Sequence, residues 1–401
     1  MSKIKLLLLI VAFIFTGCSG SVTSSSDGLI SIAVTPANPS ITPGGTIQLT
    51  ATGTFSDGSI QDLTDSVLWS SASNGIATIS NNGVVTARNT TGNTTITAIL
   101  GNVSDSTTLT VAVMATPQNV AANPSANRVY VANSNNGTLS VIDTSTNQVV
   151  TPIDVGITPW GVAVNPSTKR VYVANANSRT VSVINTESNT VIDTISVNSH
   201  PQNIAIDPST DQVYVTNTDG TISVIDTSNT VITTISILDA NLQGIAVNPS
   251  TKQIYVADSN SGKLSVVDTS TNKVNTTIGA GITPQGVAVT PSTNQIYVTN
   301  NNGNLSVNGA FTIFIGNGLQ SIAVNTSTNL LYVTNAGGTL FSVDTSGSAV
   351  TAPIFLSPNL QGIAVNSLTN QAYVANADGR LFVINTNRNG NTITATIDTK
   401  S

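Results

Sequence analysis

Charge is scarce in this chain. Of 401 residues, 13 are basic and 19 acidic, a share of 8 %, where an ordinary soluble domain carries roughly 25 %. There is one cysteine, one histidine and one glutamate, Glu187. A single Cys and a single His cannot assemble a zinc, haem or iron–sulfur site within the chain. A lone Cys cannot form an internal disulfide, and Cys-x-x-Cys-His, which would hold a covalent haem, does not occur. No cofactor is expected. A formal charge of −6 disfavours nucleic acid as a partner, because phosphate neutralisation needs clustered cations. Aromatic residues are few, with two tryptophans and seven tyrosines. Low charge does not signal disorder here, because 39 % of the residues are hydrophobic. The length allows two or three domains.

The first residues read as an address. Lys3 and Lys5 precede an unbroken apolar run from Leu6 to Phe15, and Thr16-Gly17-Cys18 follows. Ten apolar residues are too few to span a bilayer, which needs roughly 20, so the run reads as the core of a signal peptide. The Phe-Thr-Gly-Cys end resembles the lipobox of bacterial lipoproteins. That resemblance implies cleavage after Gly17, a signal segment at 1–17 and acylation of Cys18. Several acyl chains would hold the protein stably on a membrane. Ser19 would suit sorting to the outer membrane, again by resemblance. Residues 18–28 form the lipidated Cys and a Ser-rich flexible tether. Without the leader the charge becomes 11 basic minus 19 acidic, or −8.

Residues 29–113 read as short alternating strands separated by turn clusters. The strands fall at 30–34, 48–54, 67–70, 76–79, 84–87, 95–99 and 107–113. Seven short strands in such a length fit an Ig-like sandwich. Leu49-Thr50-Ala51, Trp69-Ser70-Ser71, Ile76-Ala77-Thr78-Ile79, Asn82-Gly83-Val84-Val85-Thr86-Ala87 and Thr95-Ile96-Thr97-Ala98 resemble the bacterial Ig-like domain, group 2. Trp69 is expected in the sandwich core. Such domains serve as stalks or adhesive modules on surface proteins.

Residues 115–401 are one unit written seven times. The consensus unit runs Pro-Gln-Gly-Val-Ala-Val-Asn-Pro-Ser-Thr, then Tyr-Val-Ala/Thr-Asn, then Leu-Ser-Val-Ile-Asp-Thr, then a Val/Ile-Thr strand. All seven tyrosines share one position: Tyr130, Tyr172, Tyr214, Tyr255, Tyr297, Tyr332 and Tyr373. Their spacing of 42, 42, 41, 42, 35 and 41 residues is that of a propeller blade. The Tyr-Val-Thr-Asn segments at Tyr214, Tyr297 and Tyr332 resemble the YVTN family of β-propellers. The fold class expected is therefore all-β, an Ig-like sandwich followed by a seven-bladed propeller. A four-stranded unit cannot bury both faces alone, and radial stacking buries them. Blade five is shortened, with Asn308-Gly309 in place of the usual turn, and a tight hairpin should keep its four strands.

Strand order sorts residues onto two faces. With strands A to D antiparallel, the A–B and C–D turns share one face and the B–C and D–A loops the other. The first face is repetitive. Asp143, Asp226, Asp268 and Asp344, with Asn185 and Asn385 elsewhere, read as turn formers that bond backbone N–H groups, not as catalytic acids. The second face varies, carrying Arg179, Asp219, Lys263, Asp378 and Arg380, and is where a site belongs. There Gln118, Gln202, Gln243, Gln285, Gln320 and Gln361 recur at the start of strand A, and Trp160 takes the remaining place. This predicts a ring of six Gln and one Trp at the channel mouth. Amides both donate and accept, so the ring offers a platform for a sugar or peptide. The competing reading has each Gln bonding the neighbouring blade's loop. His200 lies in a D–A loop of the same face. Neither a poised carboxylate pair nor a Ser-His-Asp set has local support. Thr216 to Gly220 is a weak candidate for Ca²⁺, and no metal site is expected.

The order tether, stalk, head suggests a non-enzymatic, monomeric protein of the bacterial cell envelope, outer membrane or cell surface. Its expected partners are the membrane, through the anchor, and a surface glycan or protein. The alternatives are a lactonase-like enzyme, since seven-bladed lactonases resemble these repeats, and a scaffold in an envelope assembly.

Overall fold

The computed structural model describes residues 28–113, 115–309, 311–346, 350, 353–386 and 390–399. Cys18, the signal segment and the tether up to residue 27 lie outside the described residues. The chain divides into two compact units that meet between Ala112 and Val113. Among the described residues no helix is long and apolar enough to cross a membrane.

The first unit holds strands β1 (Leu29–Thr35), β2 (Ser40–Ile41), β3 (Thr46–Gln48), β4 (Thr50–Phe55), β5 (Ile60–Asp62), β6 (Leu68–Ser71), β7 (Ala77–Ile79), β8 (Val84–Ala87), β9 (Gly92–Leu100) and β10 (Val103–Val111). They form three sheets, ordered β1-β4-β5, β2-β10-β9-β6 and β3-β8-β7. Sequence alternation shows seven of these strands and misses β2, β3 and β5, which have two or three residues each. Runs that short display no period. Strands β9 and β10 are longer than their apolar cores suggest, because Gly101, at φ 62°, turns them into a full nine-residue hairpin. One core fills the unit, built on Leu49, Ala51, Val85, Ile96, Ala98 and Leu109. Trp69 belongs to it, and its Nε1 donates to the Thr64 carbonyl at 2.9 Å.

Residues 117–398 form seven four-stranded antiparallel sheets, each from one contiguous stretch in the order A-B-C-D. The inner strands A stand side by side in a closed ring, and that of blade seven (Leu360–Asn366) meets that of blade one (Pro117–Asn123). In every blade the repeat tyrosine of strand B lies opposite an alanine of strand A, from Ala121↔Tyr130 to Ala364↔Tyr373. The small Ala leaves room for the ring, and each Tyr packs into the next blade. Tyr130 joins Val162, Val171 and Val173 of blade two, and Tyr373 joins Val129, Val131 and Ile142 of blade one. All seven tyrosines are buried, so the apolar cores of the propeller lie between blades.

Asx turns close the hairpins. Asn165 Oδ1 accepts from Ser167 and Thr168 N–H between strands A and B. Asp143, Asp226, Asp268 and Asp344 accept from N–H groups two residues on in the C–D turns. Blade five keeps four strands, although Val307 pairs with Phe311, leaving three residues between them, not two. The Asn308 side chain there accepts the Ile296 N–H at 2.9 Å and extends the sheet edge.

Candidate binding cup at the channel mouth

Strand A carries the site because it is bulged at its start. In blade three Pro201 pairs with Asn217 and Ile204 with Val215, so Gln202 and Asn203 together oppose Thr216 alone. Every strand A shows the same shift. A bulge re-aims the side chains of its extra residues, and here it turns them to the central axis.

Three tiers result. Gln118, Gln243, Gln285, Gln320 and Gln361 line the mouth with Trp160, which is 40 % exposed. Below them come Asn119, Asn203, Gly244, Gly286, Ser321 and Gly362. Val162, Ile204, Ile245, Val287, Ile322 and Ile363 make an apolar floor. The cup encloses about 250 Å³, and none of its 18 lining side chains is charged. That volume corresponds to about eight waters and lies below the roughly 300–1,000 Å³ of sites for drug-sized ligands.

The second tier is small for a packing reason. A Cβ on Gly161 would stand 2.3 Å from the Gln202 carbonyl, and one on Gly244 2.4 Å from that of Gln285. The neighbouring blade is thus held by the Gln backbone, not by its side chain. The Thr of strand B serves the same joint: Thr299 Oγ1 accepts the Gly286 N–H at 2.8 Å and lies 2.8 Å from the Gln320 carbonyl, as donor. Thr216 and Thr334 repeat this in blades three and six. Three of the six ring Gln amides, those of Gln118, Gln243 and Gln285, bond within their own blade and do not fasten the neighbour's loop. Gln118 Nε2 donates to Ser134 Oγ, Gln243 Nε2 to Asn241 Oδ1, and Gln285 Nε2 to the Thr283 carbonyl.

Two expected members stand apart. Gln202 occupies its ring position but does not line the cup. His200 lies before Pro201 and the bulge, half-buried, with its carbonyl accepting the Thr218 N–H, and it too is outside the lining. Glu187 pairs with Lys169 at 2.6 Å among exposed turns. Asp219 accepts from Thr221, which closes its own turn. Among the described residues no three His, Cys, Asp or Glu side chains gather as metal ligands. Sequence reasoning missed Asn119, Asn203 and the apolar floor. The available signal was the residue after each ring position, Gly in four blades and Asn, Asn and Ser in the other three.

Residues 30–111 match the family of the bacterial Ig-like domain (group 2). Ice-binding protein 1 of Shewanella frigidimarina (strain NCIMB 400) is 41 % identical over 124 residues, which cover 29 % of this chain and 14 % of that protein. This chain therefore spans a minor part of that relative. Among solved structures, a chain of Kuenenia stuttgartiensis hydrazine synthase is similar at a TM-score of 0.61 and 19 % identity, covering 69 % of this chain and 97 % of that one. A likeness at that identity concerns fold alone. Residues 30–111 are thus a bacterial Ig-like domain of group 2, and a seven-bladed β-propeller follows it.

Proposed function

We propose that this chain is a lipid-anchored protein of the bacterial envelope, related to the YVTN propellers, whose propeller is a non-enzymatic binding head on an Ig-like stalk. The observation that carries the reading is the cup: amides and one exposed tryptophan surround an apolar floor with no charged group in the lining. Trp and amides together suit a neutral polar ligand, a glycan or a peptide segment, since the ring supplies area and the amides orient it. Acid–base hydrolysis in the cup would need a titrating group that the lining does not supply. The lipobox resemblance at Cys18 supports the anchor, and the Ig-like module suits a spacer at a cell surface.

Two experiments test this. Full-length protein on glycan and peptide arrays should retain a ligand, and Trp160→Ala should weaken it at least about tenfold by removing the stacking surface. Retention unchanged in a folded Trp160→Ala protein would move the site away from the cup. Cys18→Ser should shift the protein from the membrane fraction to the soluble one and abolish incorporation of a fatty-acid label. Continued labelling would reject the anchor.

A further inference from the structure

We infer that the ligand of the cup is a protein segment and not a glycan: an extended, uncharged stretch that crosses the mouth from Ile157 to Ile282 and lowers one apolar side chain into the cup. This rests on the cup being the binding site. Two D–A loops of that face carry the inference. Gly156-Ile157-Thr158-Pro159 leads into strand A of blade two (Pro159–Asn165), and Gly281-Ile282-Thr283-Pro284 into that of blade five (Pro284–Thr290). In both, the Thr takes the left-handed conformation, at φ 56° in Thr158 and 51° in Thr283. Among the described residues these are the only β-branched side chains with positive φ. That conformation is strained for a β-branched residue, and blades six and seven place Gly318 and Asn359 there instead. In both loops the residue before the strained Thr is an isoleucine turned to solvent, 65 % exposed at Ile157 and 67 % at Ile282. Leu238, in the D–A loop between blades three and four, is 89 % exposed. Strain and exposed aliphatic surface are separate costs to folding, and the same motif meets both of them twice beside the cup.

The first loop is fixed in place. The Ile157 carbonyl accepts the Asn177 N–H at 3.2 Å, the Thr158 carbonyl accepts the Ala176 N–H at 2.9 Å, and Asn177 Nδ2 donates to Thr158 Oγ1 at 2.8 Å. In the second, the Thr283 carbonyl accepts the Asn301 N–H at 3.2 Å. Loops held this way lose little freedom on binding. Blades two and five are three steps apart in a ring of seven, so Ile157 and Ile282 stand nearly opposite each other with the cup between them. A second cavity, of about 320 Å³, opens beside Ile157 between residues 134–137 and 156–158 and continues the track onto blade one. The chemistry of this track selects the class of ligand. An aliphatic side chain gains by covering Ile157, Leu238 or Ile282, whereas sugar hydroxyls pressed on them lose water without a replacement partner. The aliphatic floor of the cup takes an apolar side chain in the same way. The backbone of a peptide both donates and accepts, as the Gln amides of the ring do. The same face carries Arg179, Lys263 and Arg380 with Asp219, Asp239 and Asp378, all exposed and three of each sign. That balance gives no attraction to a polyanion, and it complements the mixed charge that flanks an apolar segment on a protein surface. Asp239, next to Leu238, also sets that loop against an anionic lipid surface.

The test is selection of a random peptide library displayed on phage against the full-length protein, with a glycan array run in parallel. Enriched peptides should carry several spaced apolar residues and no net charge. A synthetic copy of the most enriched one is then titrated by Trp fluorescence and calorimetry. Ile157→Asn with Ile282→Asn should weaken it at least about tenfold. Leu368→Asn changes an exposed leucine in the A–B turn of blade seven, on the opposite face, and should leave the affinity unchanged. A peptide that needs Trp160 and ignores the two isoleucines would leave the cup as the site and overturn the track. A glycan retained with no peptide enriched would overturn the assignment to a protein segment while the binding-head reading stands. No ligand from either source would overturn both. The substituted side chains are exposed, so circular dichroism should show folded variants. The selection on the unaltered protein decides the class of ligand even without them.

Discussion

Residues at one repeat position are not energetically equal. Tyr373 Oη donates to Gln371 Oε1 at 2.9 Å, and Tyr214, Tyr255 and Tyr297 each find a Gln two residues earlier. Tyr130 follows Arg128 instead, and its buried hydroxyl has no partner within hydrogen-bond distance among the described residues. Tyr373→Phe should therefore cost about 1 kcal/mol in urea unfolding, while Tyr130→Phe should leave stability unchanged within about 0.5 kcal/mol. Equal losses would mean that the Gln bond contributes nothing. Burial also pushes the Tyr373 phenol up to about 12, so it stays neutral. The turn acids go the other way. The Ser145 hydroxyl and N–H, with Arg128 beside them, hold Asp143 down to about 2. A carboxylate lowered on folding stabilises above its unfolded value near 3.8 and loses that contribution as pH falls toward 2. Asp143→Asn keeps the turn, since Asn185 performs the same role in blade two. The unaltered protein should melt higher than this variant near neutral pH, with the gap closing between about pH 4 and pH 2. A gap independent of pH would show that the carboxylate charge is irrelevant.

Elements explain why part of the site was legible and part was not. The period of the tyrosines and the recurrence of Gln were visible in the sequence, because each is a residue type at a fixed spacing. The bulge was not, because it is a property of pairing: Gln202 and Asn203 share one partner only once strand B is in register. A reading by simple alternation places Asn119 and Asn203 away from the axis, and the bulge returns them to it. Blade five shows the converse. Asn308-Gly309 was readable as a tight turn, and the side-chain bond from Asn308 to Ile296 that completes the edge was not. The close approach at the bulge gives a sharp expectation. Gly244→Ala places a Cβ 2.4 Å from the Gln285 carbonyl and 2.8 Å from the Val287 nitrogen, both backbone atoms that cannot swing away. The substitution should cost about 1–3 kcal/mol. Gly58→Ala, where a Cβ meets nothing within 4 Å, is the control: its φ of +80° supplies strain without collision, about 1 kcal/mol. If the two substitutions cost the same, the contact between neighbouring bulges is not tight.

At the scale of the whole propeller the question is how the ring stays shut. Each blade comes from one contiguous stretch, so no strand is exchanged between blade seven and blade one. The seam is held by side chains. Tyr373, Leu381 and Val383 of blade seven pack with Val120, Val129 and Ile142 of blade one, as equivalent residues do at the other joints. Ser140 Oγ reaches the Thr399 carbonyl at 3.5 Å, a weak bond that adds little. If packing alone closes the ring, the seam must be as strong as an internal joint. Otherwise the array would open there first, since stability in repeats is a sum of nearest-neighbour terms. Leu381→Ala at the seam and Leu264→Ala inside blade four remove the same fully buried side chain from equivalent positions. Both should lower stability by about 2–5 kcal/mol, and by amounts that agree within about 1 kcal/mol. Both should leave a single unfolding transition, seen alike by circular dichroism and tyrosine fluorescence. A distinctly larger loss at Leu381, or an early transition seen only there, would show that the seam is the weak joint and that the ring depends on some closure beyond packing.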